Sequence, residues 1–276
     1  MVERLKAAIE KARKDRERAM AVPPAPSPVP KEAPDSPVPA EAWSAIAAVE
    51  TDLDHLQRHR VISFTRDDPA HATFDLLRTQ LVKLCRQNGW RRVAVTSPTK
   101  GCGKSTVCAN IAGSMSQQKS FKTILIDLDL RSSHIHKIFG IKGEYSIPAV
   151  LDDEQAIDRA IVRIGDNLGM LLNTKPVPGS AELLQGASMT RLFGYLEKVY
   201  APDLVLIDTP PILVADDVIG LTQQIDAVLM VIASGSTVPS EFTAAEKLLA
   251  DGAPLIGVVL NRVPEESLEP YQEGYT

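Results

Sequence analysis

Residues 93–106 read Val-Ala-Val-Thr-Ser-Pro-Thr-Lys-Gly-Cys-Gly-Lys-Ser-Thr. This stretch constrains the fold more than any other, because it asks for a buried strand, a tight turn and a helix start in direct succession. The glycines let backbone N–H groups converge on phosphate oxygens, and the helix N-terminus adds its positive dipole. Lys104 is placed to bridge β- and γ-phosphates, and the Ser105 hydroxyl to ligate Mg²⁺. Gly101, Cys102, Gly103, Lys104, Ser105 and Thr106 are therefore the candidate nucleotide-binding set. Pro98 stands five residues before Gly103, where a leading glycine is usual, so the motif is a variant. Cys102, beside Lys104 and a helix N-terminus, is a candidate reactive thiol at a position that also tolerates many side chains.

Two further apolar runs end in carboxylates. One closes as Ile124-Leu-Ile-Asp127-Leu-Asp129-Leu-Arg131 and the other as Leu204-Val-Leu-Ile-Asp208-Thr-Pro-Pro211. In a parallel α/β sheet the strand C-termini face one edge, where ligands bind. That brings Asp127 and Asp208 beside Ser105 around one Mg²⁺, an ion that takes one or two carboxylates plus waters and phosphate oxygens. Asp129 is either a second acid on the same face or the cap of the following helix. A triphosphatase needs one acidic strand end beyond the loop. The added Asp-x-Asp-x-Arg suggests a carboxylate that orients a nucleophile and an arginine, Arg131, that stabilises transferred charge.

The remaining strand candidates are 92–96, 170–173, 227–232 and 255–260, apolar on both parities as in strands buried on both faces. Segments 104–118, 132–139, 154–163, 187–199 and 239–251 suit the helices between them. Trp43, Ile46, Val49, Leu53 and Leu56 share one helical face, as do Phe74, Leu77, Leu81 and Leu84. The alternation predicts a parallel sheet with helices on both faces over 41–264. Ahead of it lie a charged segment, 1–20, with a thin apolar stripe (Leu5, Ile9, Ala12), and a spacer, 21–40, holding eight prolines. An acidic tail with two tyrosines, 265–276, follows it.

Composition removes several alternatives. A net charge of −5 and 5% aromatic residues argue against a nucleic-acid binder. The apolar runs fall well short of a bilayer span, and the charged N-terminus is no secretory signal. Three cysteines without paired spacing fit a reducing cytoplasm rather than a disulfide or zinc scaffold.

Taken in order, these motifs resemble the bacterial protein-tyrosine kinases of capsule and exopolysaccharide synthesis, within the MinD/ParA-like P-loop NTPases. The resemblance runs over roughly 70–263. It rests on the loop 96–106, on Ile126–Arg131 followed by His136-Lys-Ile-Phe139-Gly140, and on Pro176-Val-Pro178, Glu182-Leu-Leu184 and Ser188-Met189. It continues through Ile207-Asp208-Thr-Pro-Pro211, Asp217 and Gly257-Val-Val-Leu-Asn261-Arg262-Val263. The resemblance implies ATP and Mg²⁺ as cofactors and phosphate transfer to tyrosines of a neighbouring copy. Lys104, Asp127, Asp129 and Arg131 would be catalytic, and Ser105, Asp127 and Asp208 would hold the metal. Asn261 would contact adenine, and Tyr271 and Tyr275 would be phosphoacceptors. It further implies a membrane-embedded polysaccharide chain-length regulator as activating partner, self-association in trans, an opposing tyrosine phosphatase, no nucleic-acid partner, and a cytoplasmic location at the inner membrane through the regulator. Family members that form rings carry Glu-x-x-Arg-x-x-Arg on the helix before the loop; here the frame reads Ala72, Asp75, Arg78. Two other readings stay open. A MinD/ParA-type ATPase would carry a lysine where Thr99 stands. A nucleotide-bound scaffold with weak catalysis would fit the altered frame.

Overall fold

In the computed structural model, residues 40–65 and 68–264 are described. The 1–20 segment, nearly all of the proline spacer and the 265–276 tail with Tyr271 and Tyr275 lie outside the described residues.

The described residues begin with helix α1 (Ala40–Ala45), strand β1 (Ala47–Ala48) and helix α2 (Leu53–Arg58), followed by the long α3 (His71–Asn88). The central units are β2 (Arg92–Thr96), α4 (Lys104–Ser116) and β3 (Thr123–Asp127). Short helices α5 (Ile135–Ile138), α6 (Ile147–Asp152) and α7 (Glu154–Ala160) lead to β4 (Val162–Ile164) and β5 (Leu168–Leu171). Then come α8 (Ser180–Gln185), α9 (Ala187–Val199), β6 (Leu204–Asp208), α10 (Asp217–Leu221), β7 (Ala227–Ala233), α11 (Pro239–Leu249) and β8 (Leu255–Asn261).

The strands form one sheet in the order β1-β4-β5-β3-β6-β2-β7-β8. Alternate residues of each inner strand feed opposite cores. In β6, Val205 and Ile207 join one apolar cluster while Leu204 and Leu206 join the other, and β2 divides Ala94 from Val93 and Val95 in the same way. Period-two alternation between two apolar layers explains the unbroken apolar runs. Each fully buried Ile or Leu there contributes roughly 1.5–3 kcal/mol relative to exposure.

The sheet departs from the expected all-parallel form at one edge. β4 runs antiparallel to β5, and β1 pairs parallel with β4. Gly165, at φ +60°, lies in the three-residue connection that turns β4 back into β5. The helix expected over 154–163 therefore ends at Ala160, and its last residues become strand. Likewise the single helical face drawn through Trp43–Leu56 is two short helices separated by β1. Pairing with β4 wins there, because Val49 N–H donates to the Arg163 carbonyl at 2.8 Å. The strand expected at 170–173 is shifted to Leu168–Leu171, and the helix expected over 132–139 shrinks to Ile135–Ile138.

The first described segment, residues 43–63, is tied to the sheet and its helices. Trp43 Nε1 donates to the Tyr200 carbonyl at 2.7 Å, and the Tyr200 and Tyr195 hydroxyls both donate to Asp158. Burial and Asp158 push the Tyr200 hydroxyl well above the usual phenol range. Buried Asn110 accepts from the Ile62 and Ser63 N–H groups and donates to the Arg60 and Thr106 carbonyls, sewing residues 60–63 onto α4.

Candidate phosphate and metal site

The loop 97–103 joins β2 to α4 at the C-terminal edge of the sheet, between β6 and β7. Gly101 and Gly103 take left-handed φ values of +81° and +86°, which only glycine adopts without strain. The loop is held from two sides. On the β6 side, Ile212 N–H donates to the Ser97 carbonyl at 2.9 Å and Leu213 N–H to the Pro98 carbonyl at 3.1 Å. On the β8 side, Asn261 Nδ2 donates to the Cys102 carbonyl at 2.9 Å. The Cys102 side chain is buried. Its thiol donates to the Thr99 carbonyl at 3.3 Å and lies 3.6 Å from Thr237 Oγ1, so it is packed into the protein rather than offered to a reagent.

Lys104 opens α4 and is only 8% exposed. Its Nζ contacts Asp129 Oδ2 at 2.5 Å and Ser105 Oγ at 3.2 Å, and stands 3.8 Å from Asp208 Oδ1. Asp127 and Asp208 end β3 and β6 in register with one another, each fully buried. Asp127 Oδ2 accepts from Ile135 N–H at 3.3 Å, the first amide of α5. Asp127 Oδ1 and both oxygens of Asp208 have no hydrogen-bond partner. Asp129 Oδ2 meets Lys104, while Oδ1 accepts from Ser132 N–H at 3.2 Å in the turn before α5; it does not cap that helix, whose N-cap position is His134.

The electrostatics follow from one cation among three buried acids. Burial pushes the Asp127 carboxyl well above the usual carboxylate range, and Asp208 and Asp129 add to the rise against the pull of Lys104. Burial likewise raises Asp208, opposed by Lys104 and by the nearby Ser105 hydroxyl, which falls short of hydrogen-bond geometry. Burial alone works against the Lys104 charge, but Asp208 and Asp129 outweigh it and hold the ammonium above its ordinary value.

Unpartnered, fully buried carboxylate oxygens beside a serine hydroxyl are what a divalent cation would neutralise. No trio of acidic, imidazole or thiol groups among the described residues closes around a single point. Mg²⁺ takes one or two carboxylates and fills the rest of its shell with waters and phosphate oxygens. Ser105, Asp127 and Asp208 are the residues that fit it.

Arg131 stands apart from this group. Its guanidinium reaches Asp217 Oδ2 at 2.9 Å and Asp216 Oδ1 at 3.3 Å, tying the loop after β3 to α10. Asp217 is fully buried, and the Asp127–Arg131 spacing alone gave no sign that it would take the arginine. The frame on α3 is also internally satisfied: Arg78 Nη1 meets Asp75 Oδ1 at 3.0 Å and the Ser114 carbonyl at 2.8 Å, and Ser114 Oγ donates to Asp75.

Residues 93–274 match the CobQ/CobB/MinD/ParA nucleotide-binding domain. The chain is 34% identical over 173 residues to the tyrosine-protein kinase YwqD of Bacillus subtilis, covering 62% of this chain and 72% of that one. The chain belongs to the bacterial tyrosine-protein kinase family. It is also 27% identical over 223 residues to the tyrosine-protein kinase Etk of Escherichia coli, spanning 78% of this chain and 30% of that longer protein. The kinase domain of Escherichia coli ETK superposes with a TM-score of 0.68 at 25% identity, covering 83% of this chain and 94% of that domain. In this kinase-family fold the motif residues 104, 105, 127, 129 and 208 converge, whereas Arg131 and the α3 frame are engaged elsewhere. Among the described residues no helix is long and apolar enough to cross a membrane.

Proposed function

We propose that the chain is an ATP-dependent protein-tyrosine kinase acting in capsule or exopolysaccharide assembly. The observation that carries the reading is the in-register pair Asp127–Asp208, buried beside Lys104 and Ser105 with three carboxylate oxygens that make no hydrogen bond. Lys104 would exchange its contact with Asp129 for the β- and γ-phosphates, and Ser105, Asp127 and Asp208 would hold Mg²⁺, which would neutralise charge on the transferring phosphoryl group. Asp127, raised by its surroundings, is the better matched to accept a phenolic proton. The tyrosine oxygen bonds to the γ-phosphorus as the bond to the β-phosphate oxygen breaks. The proton passes to Asp127 and ADP leaves. Asp129 orients Lys104 between turnovers.

The acceptors proposed are Tyr271 and Tyr275 on a second copy, and the activator is the cytoplasmic segment of a membrane-embedded chain-length regulator, which would hold the kinase at the inner membrane. A tyrosine phosphatase would reverse the modification. Arg131 acts through the loop it anchors. Assembly through the Ala72/Asp75/Arg78 frame is not favoured, because Arg78 is already spent on Asp75 and Ser114.

The test is incubation of purified protein with labelled ATP, Mg²⁺ and the regulator segment, with phosphotyrosine mapped by mass spectrometry. Tyr271→Phe/Tyr275→Phe should remove self-labelling and keep transfer to an added tyrosine peptide. ATP hydrolysis without phosphotyrosine under any condition would replace the kinase by a plain ATPase.

A further inference from the structure

We propose that Asn261 is a positioning residue of the phosphate cradle: its side-chain amide holds the Cys102 carbonyl and thereby aims the Gly103 N–H at bound phosphate. This rests on the nucleotide-binding reading above. It assigns Asn261 a task separate from the adenine contact that the family resemblance implies.

The contact is 2.9 Å long and runs from the end of β8 to the middle of the loop. A carbonyl can be met only by a donor, so chemistry fixes which end of the amide faces Cys102. Asn261 Oδ1 accepts no hydrogen bond among the described residues. No peptide bond among the described residues is cis, so the C=O of Cys102 and the N–H of Gly103 point in opposite directions across one planar unit. Holding the carbonyl toward β8 therefore turns the N–H away from β8. That N–H has no protein partner among the described residues.

The fit is reciprocal. A Cβ on Gly103 would lie 2.2 Å from Asn261 Nδ2, so any side chain at 103 expels the amide. Gly103 is thus needed for its φ of +86° and also for the space that Asn261 fills. The same stretch is gripped a second time from the β7 side, where the Cys102 thiol meets Thr237 Oγ1 at 3.6 Å.

The experiment separates the cradle from the base. Full-length wild type, Asn261→Leu and Asn261→Asp, each checked for folding by circular dichroism, are titrated calorimetrically with Mg²⁺-ATP and with Mg²⁺-tripolyphosphate, which has no base. Neither substituent can donate, so both variants should bind both ligands more weakly by a similar factor, about tenfold for one lost hydrogen bond. Amide exchange of residues 101–105 without ligand should also quicken. A loss confined to ATP would reduce Asn261 to a base contact and overturn the proposal, as would unchanged exchange in the loop. If the wild type bound neither ligand, the nucleotide reading itself would fail, while the exchange measurement would still decide whether Asn261 orders the loop.

Discussion

Asp127 and Asp208 occupy the same register position on neighbouring parallel strands, both fully buried, and three of their four carboxylate oxygens have no hydrogen-bond partner. Two acids side by side in a dry site form an arrangement that folding alone would not favour. In the proposed function a metal and phosphates would complete the site and offset that cost. Stability and function therefore pull in opposite directions at this edge of the sheet.

The first consequence concerns Asp127→Asn. The amide keeps an acceptor for the Ile135 N–H and removes one buried charge. Phosphotyrosine formation should fall by about 10² to 10⁴ as the proton acceptor is lost. The ligand-free protein should gain about 1 kcal/mol or more, a melting-temperature rise of roughly 2–4 °C. Thermal denaturation run beside a transfer assay checks both. A variant that is inactive and also less stable would mean that Asp127 is structural.

The second concerns pH. Asp127 and Asp208 are raised in the folded state, so the folded protein binds more protons than the unfolded chain once the pH exceeds about 4. Stability from these groups is greatest where both states are protonated and falls as pH climbs through the raised values. Melting temperatures of the ligand-free protein should decline from mildly acidic to neutral pH. Saturating Mg²⁺-ATP should flatten that decline by favouring the ionised acids. Lys104→Met should steepen it, since the lysine is the cation that opposes the rise.

Asp208→Asn should shift the Mg²⁺ dependence of transfer to concentrations roughly tenfold higher or more, because a neutral amide is a poor Mg²⁺ ligand. The fold should survive, since neither oxygen of Asp208 is used in a hydrogen bond. A superimposable Mg²⁺ titration would remove Asp208 from the metal site.

Arg131→Ala removes the partner of fully buried Asp217. A deeply buried pair broken on one side costs about 3–5 kcal/mol. Here the Arg131 side chain is 48% exposed, so solvent screening reduces the expected loss to roughly 1–2 kcal/mol. Arg131→Lys should recover part of it. Denaturant midpoints for the two variants test this, and an unchanged midpoint in Arg131→Ala would mean that the pair holds nothing.

How the chain folds was legible where local chemistry and long-range packing agree. The glycines at 101 and 103, Lys104, Ser105 and the acids ending two apolar runs are dictated by short-range rules, and the α/β class follows from alternation along the chain. α9, Ala187–Val199, falls where periodicity puts it because its apolar face meets the sheet directly. Tertiary structure alone decided the rest. The stretch Trp43–Leu56 has a continuous helical periodicity, yet edge pairing with β4 breaks it into two helices, a gain that local sequence does not register. The reversal of β4 depends on where Gly165 turns the chain. The choice of Arg131 for Asp217, of Arg78 for Ser114, and of Asn261 for the Cys102 carbonyl was equally hidden. Each joins residues far apart in sequence, and spacing along a chain carries no information about which distant group will fill a hydrogen bond once the chain is packed.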